Sequence, residues 1–257
     1  MKIVVVLASL FVVGACSQPK NSISGEFSAG IINGQPVQSS DPIAKHLVAI
    51  TDNKWENCTG TLIAKNLVLT AAHCETKGEA MYVAFGLEVS EGTLDQVERH
   101  QVTNYRLIPG HEKAMGSPRE NWKDLMIVEF EGEAPAGYTP AKFLNDDSAL
   151  QNGTMVTFAG YGVTNGRSQK GDGTLRKTQS PIKDIKFSDT EVQTDERRSG
   201  TCNIDSGGPA FVQVNGELLY WGVTSRGAGN CDKDGVYTRI NAYREWVDGV
   251  IKDLGVQ

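Results

Sequence analysis

The 257-residue sequence has no excess of positive charge, few aromatic residues and no metal-binding pattern. The formal net charge is -6 and like charges form no long run, which argues against nucleic-acid binding because that function needs a basic face. No two of the four histidines have the spacing of metal ligands, and no HExxH pattern occurs. We therefore expect no nucleic-acid partner, no bound metal and no other cofactor.

Long hydrophobic runs are also lacking, except for one at the N-terminus. Residues 3–13 are almost wholly apolar, follow Lys2 and precede small residues and Cys16. The run is too short to span a bilayer permanently, so residues 1–15 are predicted to be an export signal. A cysteine after small residues resembles a bacterial lipoprotein box, which predicts a lipid on Cys16 that anchors the precursor at the envelope. The alternative is a plain signal peptide with an incidental cysteine.

The number of cysteines is odd, at five. With Cys16 assigned to the lipid, four remain, and an exported protein reaches an oxidising compartment where these can form two disulfides. The four are Cys58, Cys74, Cys202 and Cys231. The residues alone leave all three possible pairings open.

The part of the chain after the signal has two regions of different character. Residues 16–30 are polar without apolar periodicity, which is typical of a linker or pro-segment. From Ile31 onward, short apolar runs alternate with turns, a pattern that favours β-barrels or a sandwich over βαβ units. Asn215-Gly216 between two such runs predicts a tight hairpin.

We predict one folded domain over 31–257. A composition break after residue 131 divides it into halves of about 31–135 and 136–240. The tail, about 242–254, has apolar residues on one face at helical spacing and is predicted to be an amphipathic helix.

A glycine-rich turn offers a candidate nucleophile, Ser206. An acidic residue precedes it, and Gly207 and Gly208 follow it, which favours a tight turn that exposes the hydroxyl and its backbone N–H. A hydroxyl is a weak nucleophile alone and needs a base and a residue that orients the base. The alternative is a tight loop without a catalytic role.

Among the histidines, only His73 stands in a distinctive context. It follows a strand-like run and small residues and directly precedes Cys74, so a disulfide there would fix its backbone. We interpret the other three, His46, His100 and His111, as surface or hydrogen-bonded core residues.

Several motifs occur together in one order: 58–74 around the histidine, Asp124 before an apolar strand, 159–162 with glycine-aromatic-glycine, 205–209 around the serine, and the pair 225–227 and 235–237. This ordered set resembles the trypsin- and chymotrypsin-like serine proteases, from Ile31 to about Leu254. The resemblance implies an all-β fold of two six-stranded antiparallel β-barrels with a C-terminal helix.

The resemblance also implies a catalytic triad of His73, Asp124 and Ser206 and hydrolysis of peptide bonds in a protein or peptide substrate. The backbone N–H groups of Ile204 and Ser206 would form the oxyanion hole. It supports the disulfide pairs Cys58–Cys74 and Cys202–Cys231, and the small number of bridges fits a bacterial member. We expect a monomer.

Activation is implied in the same way. In this family a newly cut N-terminus places its ammonium against the aspartate before the serine, here Ile31 against Asp205. The cut would follow Gly30, so we expect an activating protease that is not trypsin-like. The same cut would separate the domain from a lipid on Cys16 and release it.

The resemblance assigns a set of substrate-binding residues: Gly200, Thr201, Asn203, Ser225, Arg226, Gly227 and Gly235. Gly200 stands at the base of the pocket, where trypsin-like members have aspartate, so cleavage after Lys or Arg is not expected. Gly227 and Gly235 leave the pocket open and favour a bulky apolar residue before the cleaved bond. Arg226, in place of a common tryptophan, could favour acidic groups or be solvated.

Ile204 departs from the family, which nearly always has glycine there. A β-branched residue restricts a turn that needs positive φ. An alternative function is therefore a protease-fold binding protein without turnover. An α/β-hydrolase esterase is excluded, because Ser206 lacks the glycine two residues earlier that the nucleophile elbow requires.

Overall fold

The computed structural model describes residue 1 and residues 31–54, 58–111 and 121–254. The predicted signal peptide over 1–15, the lipid site Cys16 and the linker over 16–30 lie outside the described residues, apart from Met1. Within the described ranges, no helix is both long enough and apolar enough to cross a membrane.

Most of the described chain is antiparallel β-structure. The strands are β1 (Gln35–Pro36), β2 (Leu47–Thr51), β3 (Cys58–Leu62), β4 (Leu67–Thr70), β5 (Tyr82–Phe85), β6 (Glu98–Leu107), β7 (Met126–Phe130), β8 (Met155–Gly160), β9 (Arg176–Asp184), β10 (Glu191–Asp195), β11 (Pro209–Val214), β12 (Glu217–Gly227) and β13 (Asp234–Arg239). One α-helix, α1 (Arg244–Leu254), follows them. Short 3-10 helices occupy Pro42–Lys45, Ala72–Cys74, Asp147–Ala149 and Asn241–Tyr243.

The first barrel is closed by six strands in the order β2-β3-β4-β7-β6-β5. Strands β2, β3 and β4 are buried along their whole length, and each large aliphatic side chain buried there contributes about 1.5–3 kcal/mol. Gly60 in β3 is required by this packing, because a Cβ atom would lie 3.2 Å from Cδ1 of Ile50 and still closer to Val68.

The second barrel is built from β8–β13, and the β8–β9 pairing closes it. Its core is aromatic: Phe158 stacks on Tyr237 with 4.6 Å between ring centroids, and Trp221 lies beside Tyr237. The predicted hairpin is confirmed, since Asn215-Gly216 joins β11 to β12 with positive φ at both residues. The two closed barrels confirm the predicted fold class.

The two ends of the described chain pack on opposite barrels. β1 pairs with β9 of the second barrel, so Gln35 and Pro36 belong to that barrel and not to the first, where the predicted boundary of about 31–135 had them. Helix α1 instead packs Val247 and Val250 into the core of the first barrel. The helix itself falls within the predicted range of about 242–254.

Candidate active site

His73 and Asp124 form a hydrogen-bonded pair at the edge of the first barrel. His73 lies in the 3-10 helix after β4, and the disulfide Cys58–Cys74 holds the adjacent residue. The Nδ1–H of His73 donates to Asp124 Oδ2 at 2.7 Å and its backbone N–H donates to Asp124 Oδ1 at 3.0 Å. The Ser225 hydroxyl donates to Asp124 Oδ2 at 2.7 Å. The carboxylate thus accepts three hydrogen bonds, and the one from Nδ1–H fixes the orientation of the imidazole.

The pair shifts the pKa values of both groups. Burial lowers the pKa of His73, but the hydrogen bond and the charge of Asp124 outweigh it, and the net pKa is raised above 6.5. Burial raises the pKa of Asp124, and the bonds from His73 and Ser225 bring it below 3.8. At neutral pH Asp124 is an anion, able to stabilise a positive charge on the imidazole.

Ser206 lies against the same part of the first barrel. Its carbonyl oxygen accepts from the Thr59 N–H at 2.9 Å and lies 3.8 Å from Cys74 Sγ, next to His73 in sequence. Gly207 follows with φ +79, and a Cβ there would overlap Thr70 and lie 2.5 Å from the Thr59 carbonyl oxygen. The glycine therefore allows the serine turn to approach the histidine strand closely.

The turn before Ser206 includes Ile204 with φ +75, in the left-handed region. The Asp205 N–H donates to the Cys202 carbonyl at 3.0 Å and the Gly207 N–H to that of Thr224 at 2.8 Å. Among the described residues, no acceptor pairs with the N–H of Ile204 or Ser206. Two backbone donors on either side of Asp205 are thus available to an outside acceptor.

The strained Ile204 backbone has identifiable supports. Its carbonyl accepts from the Thr59 hydroxyl at 3.1 Å, and its side chain packs on a cluster of Val163 and the Cys202–Cys231 disulfide. Left-handed backbone costs a non-glycine residue on the order of 1–2 kcal/mol. The two disulfides, Cys58–Cys74 and Cys202–Cys231, are the pairs that the family resemblance implies.

Asp205 is completely buried without an ion-pair partner among the described residues. Its carboxylate accepts from the N–H of Gly162 and of Cys202, each at 2.8 Å. Burial raises the pKa of Asp205 to about 7, and the nearby charge of Glu196 adds to the shift. The predicted partner, Ile31, is also fully buried, and the next carbonyl, of Ile32, accepts from the Gly200 N–H at 3.2 Å.

The predicted substrate-binding residues lie along two facing segments. Gly200, Thr201 and Asn203 precede the serine turn, while Ser225–Gly227 belong to β12 and pair with β13 at Gly235. Asn203 donates to Gln169 at 2.6 Å and is exposed. Ser225 is committed to Asp124, as described above, so its hydroxyl supports the histidine pair.

The structure corrects the interpretation of Arg226. Its guanidinium binds the buried carboxylate of Glu191 through both terminal nitrogens, at 2.6 and 2.8 Å, and stacks over Trp122 at 4.4 Å. The other donors to Glu191 are the backbone N–H groups of Asn121 and Trp122. Arg226 therefore neither is solvated nor faces an acidic ligand; it ties β12 to the segment that precedes Asp124.

An acidic residue that the sequence does not single out, Glu196, lies beside the predicted substrate-binding residues. Its side chain fills the space beside both Gly200 and Gly235: Cβ atoms there would lie 2.5 Å from its Cγ and 2.6 Å from its Cδ. The premise that no acidic group lies at this base is thus wrong. The sequence argument depends only on the residue at position 200. A carboxylate that reaches the same place from a neighbouring turn cannot be recognised from that residue.

Cys58, His73 and Cys74 place three potential metal-ligating atoms within 4.8 Å of one another. The two cysteines form a disulfide, and metal ligation requires the thiolate. This cluster therefore has one available ligand and does not fit a metal ion.

Comparisons with known proteins agree with this arrangement. The model of the Trypsin family matches residues 31–247. A chymotrypsin of Phaedon cochleariae is 29% identical over 245 residues, covering 90% of this chain and 85% of the relative. The chymotrypsin-like elastase family member 1 of Canis lupus familiaris is 27% identical, covering 88% and 94% respectively.

Solved structures show the same fold. The structure described as the atomic resolution structure of HBP has a TM-score of 0.73 and 24% identity, covering 88% of this chain and 99% of that one. A mutant of human heparin binding protein has a TM-score of 0.72 at 24% identity. The family match spans both barrels and every residue of the histidine–aspartate pair and the serine turn, and the chain belongs to the trypsin-like serine protease family.

Proposed function

We propose that this chain is a serine endopeptidase in which His73, Asp124 and Ser206 form the catalytic triad. The supporting observation is the buried Asp124, which accepts two hydrogen bonds from His73 beside a serine turn that is bonded to the neighbouring strand β3. Relatives named chymotrypsin and chymotrypsin-like elastase agree with this proposal.

The chemistry follows from these groups. The Ser206 hydroxyl attacks the peptide carbonyl, and His73 takes the hydroxyl proton and later delivers it to the leaving amine. Asp124 fixes the tautomer and stabilises the imidazolium that forms. The N–H groups of Ile204 and Ser206 bind the oxyanion, each worth about 3–4 kcal/mol in the transition state. Water then hydrolyses the acyl-enzyme by the same proton transfers.

Activation by a cut after Gly30 is part of the proposal. The new ammonium of Ile31 would pair with Asp205, whose raised pKa reflects a buried carboxylate without a cation. Such a pair would hold the turn at Ile204 in its strained conformation. Export, a lipid on Cys16, release on cleavage and a monomeric state stay predictions; the bacterial origin also stays one, and the relatives described above are from animals.

A second candidate function is a protease-fold binding protein without turnover. The observation that favours it is the left-handed φ of Ile204, a residue type that rarely adopts this conformation. In that case the turn would lose its two free N–H groups in solution, and the triad would lack an oxyanion hole.

One experiment separates the two. Protein that begins at Ile31 and its Ser206→Ala variant are incubated with a diverse peptide mixture, and the cuts are identified by mass spectrometry. We expect cuts that depend on Ser206. Their absence in folded protein, combined with their appearance in Ile204→Gly, would favour the binding protein and identify Ile204 as the cause. Their absence in both proteins would reject the proposed enzyme.

The sequence predicts that the residue before the cleaved bond is apolar and neither Lys nor Arg. That prediction depended on the absence of an acidic group at the base of the pocket. The Glu196 carboxylate lies beside Gly200, so that premise does not hold.

A further inference from the structure

Glu196 is a buried acid between the two segments that precede and face the serine turn. It is 3% exposed, and its side chain occupies the volume that side chains at Gly200 and Gly235 would need. Thr201, five residues before Ser206, contacts its carboxylate directly. The glycines and Glu196 together form one acidic floor below the serine turn.

Only neutral groups bind this carboxylate in the described chain. Oε1 accepts from the hydroxyls of Thr194 at 2.6 Å and Tyr237 at 2.5 Å. Oε2 accepts from the N–H and hydroxyl of Thr201, at 2.7 and 3.1 Å. Neutral donors stabilise the anionic form without cancelling its charge, while burial opposes that form and raises the pKa of Glu196.

Two other buried acids of the site have a cationic or ionisable partner. Glu191 binds Arg226, and Asp124 binds His73. Among the described residues no lysine or arginine forms an ion pair with Glu196 or Asp205. Buried carboxylates are expensive without a counter-charge, and in the proposed function the Ile31 ammonium supplies one to Asp205. Glu196 is then the one buried acid of this set whose partners in the described chain are all neutral.

We propose that Glu196 determines specificity: its carboxylate binds the side-chain cation of a lysine or arginine that precedes the cleaved bond. This inference rests on the proposed function and replaces the expectation of an apolar residue at that position.

The hydrogen bonds around Glu196 permit such a ligand. The Thr194 hydroxyl lies 3.3 Å from the Gly235 carbonyl oxygen, and the Thr201 hydroxyl lies 3.0 Å from the Tyr237 oxygen. Each therefore has a second acceptor and can turn away from the carboxylate, which frees one lone pair on each oxygen. A cationic donor forms a stronger hydrogen bond to the carboxylate than the neutral hydroxyl it displaces.

The walls beside the floor do not oppose a cation. The guanidinium of Arg226 stacks on Trp122 and binds Glu191, whose carboxylate neutralises its charge. The next residue of β12, Gly227, has room on its side-chain face: the nearest heavy atom to a Cβ there is the Asp234 carbonyl oxygen at 3.4 Å. In this proposal, a long substrate side chain passes along this wall to reach the Glu196 carboxylate.

The test uses protein that begins at Ile31 and peptides that differ only in the residue before the cleaved bond: Lys, Arg, Leu or Phe. The measured quantity is the ratio of kcat/KM for basic over apolar peptides. We expect Glu196→Gln to lower this ratio at least about 100-fold, since truncating one partner of a buried charge pair costs several kcal/mol. Glu196→Asp, which keeps the charge, should retain part of the preference.

Asp195→Asn is the matched control. It removes one negative charge from the adjacent residue, whose carboxylate instead binds the exposed Arg197, and should leave the ratio within about twofold. An unchanged ratio in Glu196→Gln, or cuts only after apolar residues in the unmodified protein, would overturn the inference and leave the proposed enzyme intact.

A binding measurement keeps the inference testable without turnover. Calorimetry with butylguanidinium should show one site in Ser206→Ala and a loss of affinity of at least about 100-fold when Glu196→Gln is added. Thermal unfolding checks that both variants are folded. Equal binding in both variants would reject the role of Glu196, whereas binding without any peptide cleavage would reject only the proposed enzyme.

Discussion

The two barrels share a topology but differ in how they hold buried charge. The first barrel is lined by aliphatic side chains and carries one deeply buried carboxylate of the site, Asp124, at the start of β7. The second barrel buries three, Glu191, Glu196 and Asp205. In the proposed function, the first barrel thus supplies the base and its orienting acid, and the second barrel supplies the buried acids around the serine turn.

The three acids of the second barrel also differ among themselves. Glu191 has a bidentate arginine, whereas Glu196 and Asp205 have only neutral donors in the described chain. A buried acid with a cationic partner connects two segments of the fold. A buried acid without one is available to a cationic ligand or to a new N-terminal ammonium. The following predictions test this distinction.

The largest effect is expected at the acid of the first barrel. Asp124→Asn keeps the shape but loses the anion that fixes the His73 tautomer, and in triads of this type the loss in kcat is about 10⁴-fold. The measurement is peptide hydrolysis against Ser206→Ala as the baseline. In the unmodified protein, activity should rise with pH as His73 loses its proton, with a midpoint above 6.5 because its pKa is raised. A loss below about tenfold in Asp124→Asn would reject the proposed role.

In the second barrel, the next largest effect is expected on the free energy of unfolding, when Glu191 loses its ion-pair partner Arg226. Arg226→Leu leaves Glu191 buried with only two backbone donors, and the free energy of unfolding should fall by about 3–5 kcal/mol. Chemical denaturation measures this. The double variant with Glu191→Leu should recover most of the loss, because no uncompensated charge is left. A loss in the single variant that the double variant does not recover would show that the pair does not act as a tie.

The unpaired Asp205 should make the free energy of unfolding depend on pH, with a total change of about 2–4 kcal/mol. Because the folded pKa of Asp205 is raised to about 7 from 3.8, the folded state binds a proton more tightly than the unfolded state. Its stabilising contribution is fully present below about pH 3.8 and is lost as the pH rises through 7. Denaturation of uncut Ser206→Ala protein, with and without Asp205→Asn, isolates this contribution from those of Glu196 and Asp124.

The same comparison after cleavage before Ile31 completes the test. If the new ammonium pairs with Asp205, the pKa of the aspartate falls and the loss of stability towards neutral pH should disappear. Persistence of the uncut pH dependence in the cut protein would contradict the proposed activation.

Much of the fold could be predicted from the sequence, because strands buried on both faces are continuous apolar runs, as in Leu67–Thr70 and Met155–Gly160. Strand β6 was not predicted: Glu98–Leu107 is mostly polar and exposed, and its pairing with β5 and β7 depends on barrel closure.

The residues of the candidate site also differ in whether the sequence alone could identify them. His73, Asp124 and Ser206 stand in local motifs, so each could be found by its neighbours in sequence. Glu191 and Glu196 could not, since a buried glutamate in a polar stretch has the same sequence signature as one on the surface. Their roles arise from contacts between residues far apart in sequence: Glu191 of β10 binds Arg226 of β12 and the backbone N–H of Trp122, and Glu196 binds Tyr237 of β13.

The attachment of β1 to the second barrel bears on how fast a cut could take effect. Gln35 and Pro36 are paired with β9, and Ile32 is paired with Gly200. A new N-terminus at Ile31 would therefore be tethered by only a few residues, each of which spans at most about 3.3–3.6 Å. Such a tether keeps the ammonium near Asp205 at an effective concentration of millimolar or more. The switch would then need no diffusional search, and its speed would be limited by the cleavage itself.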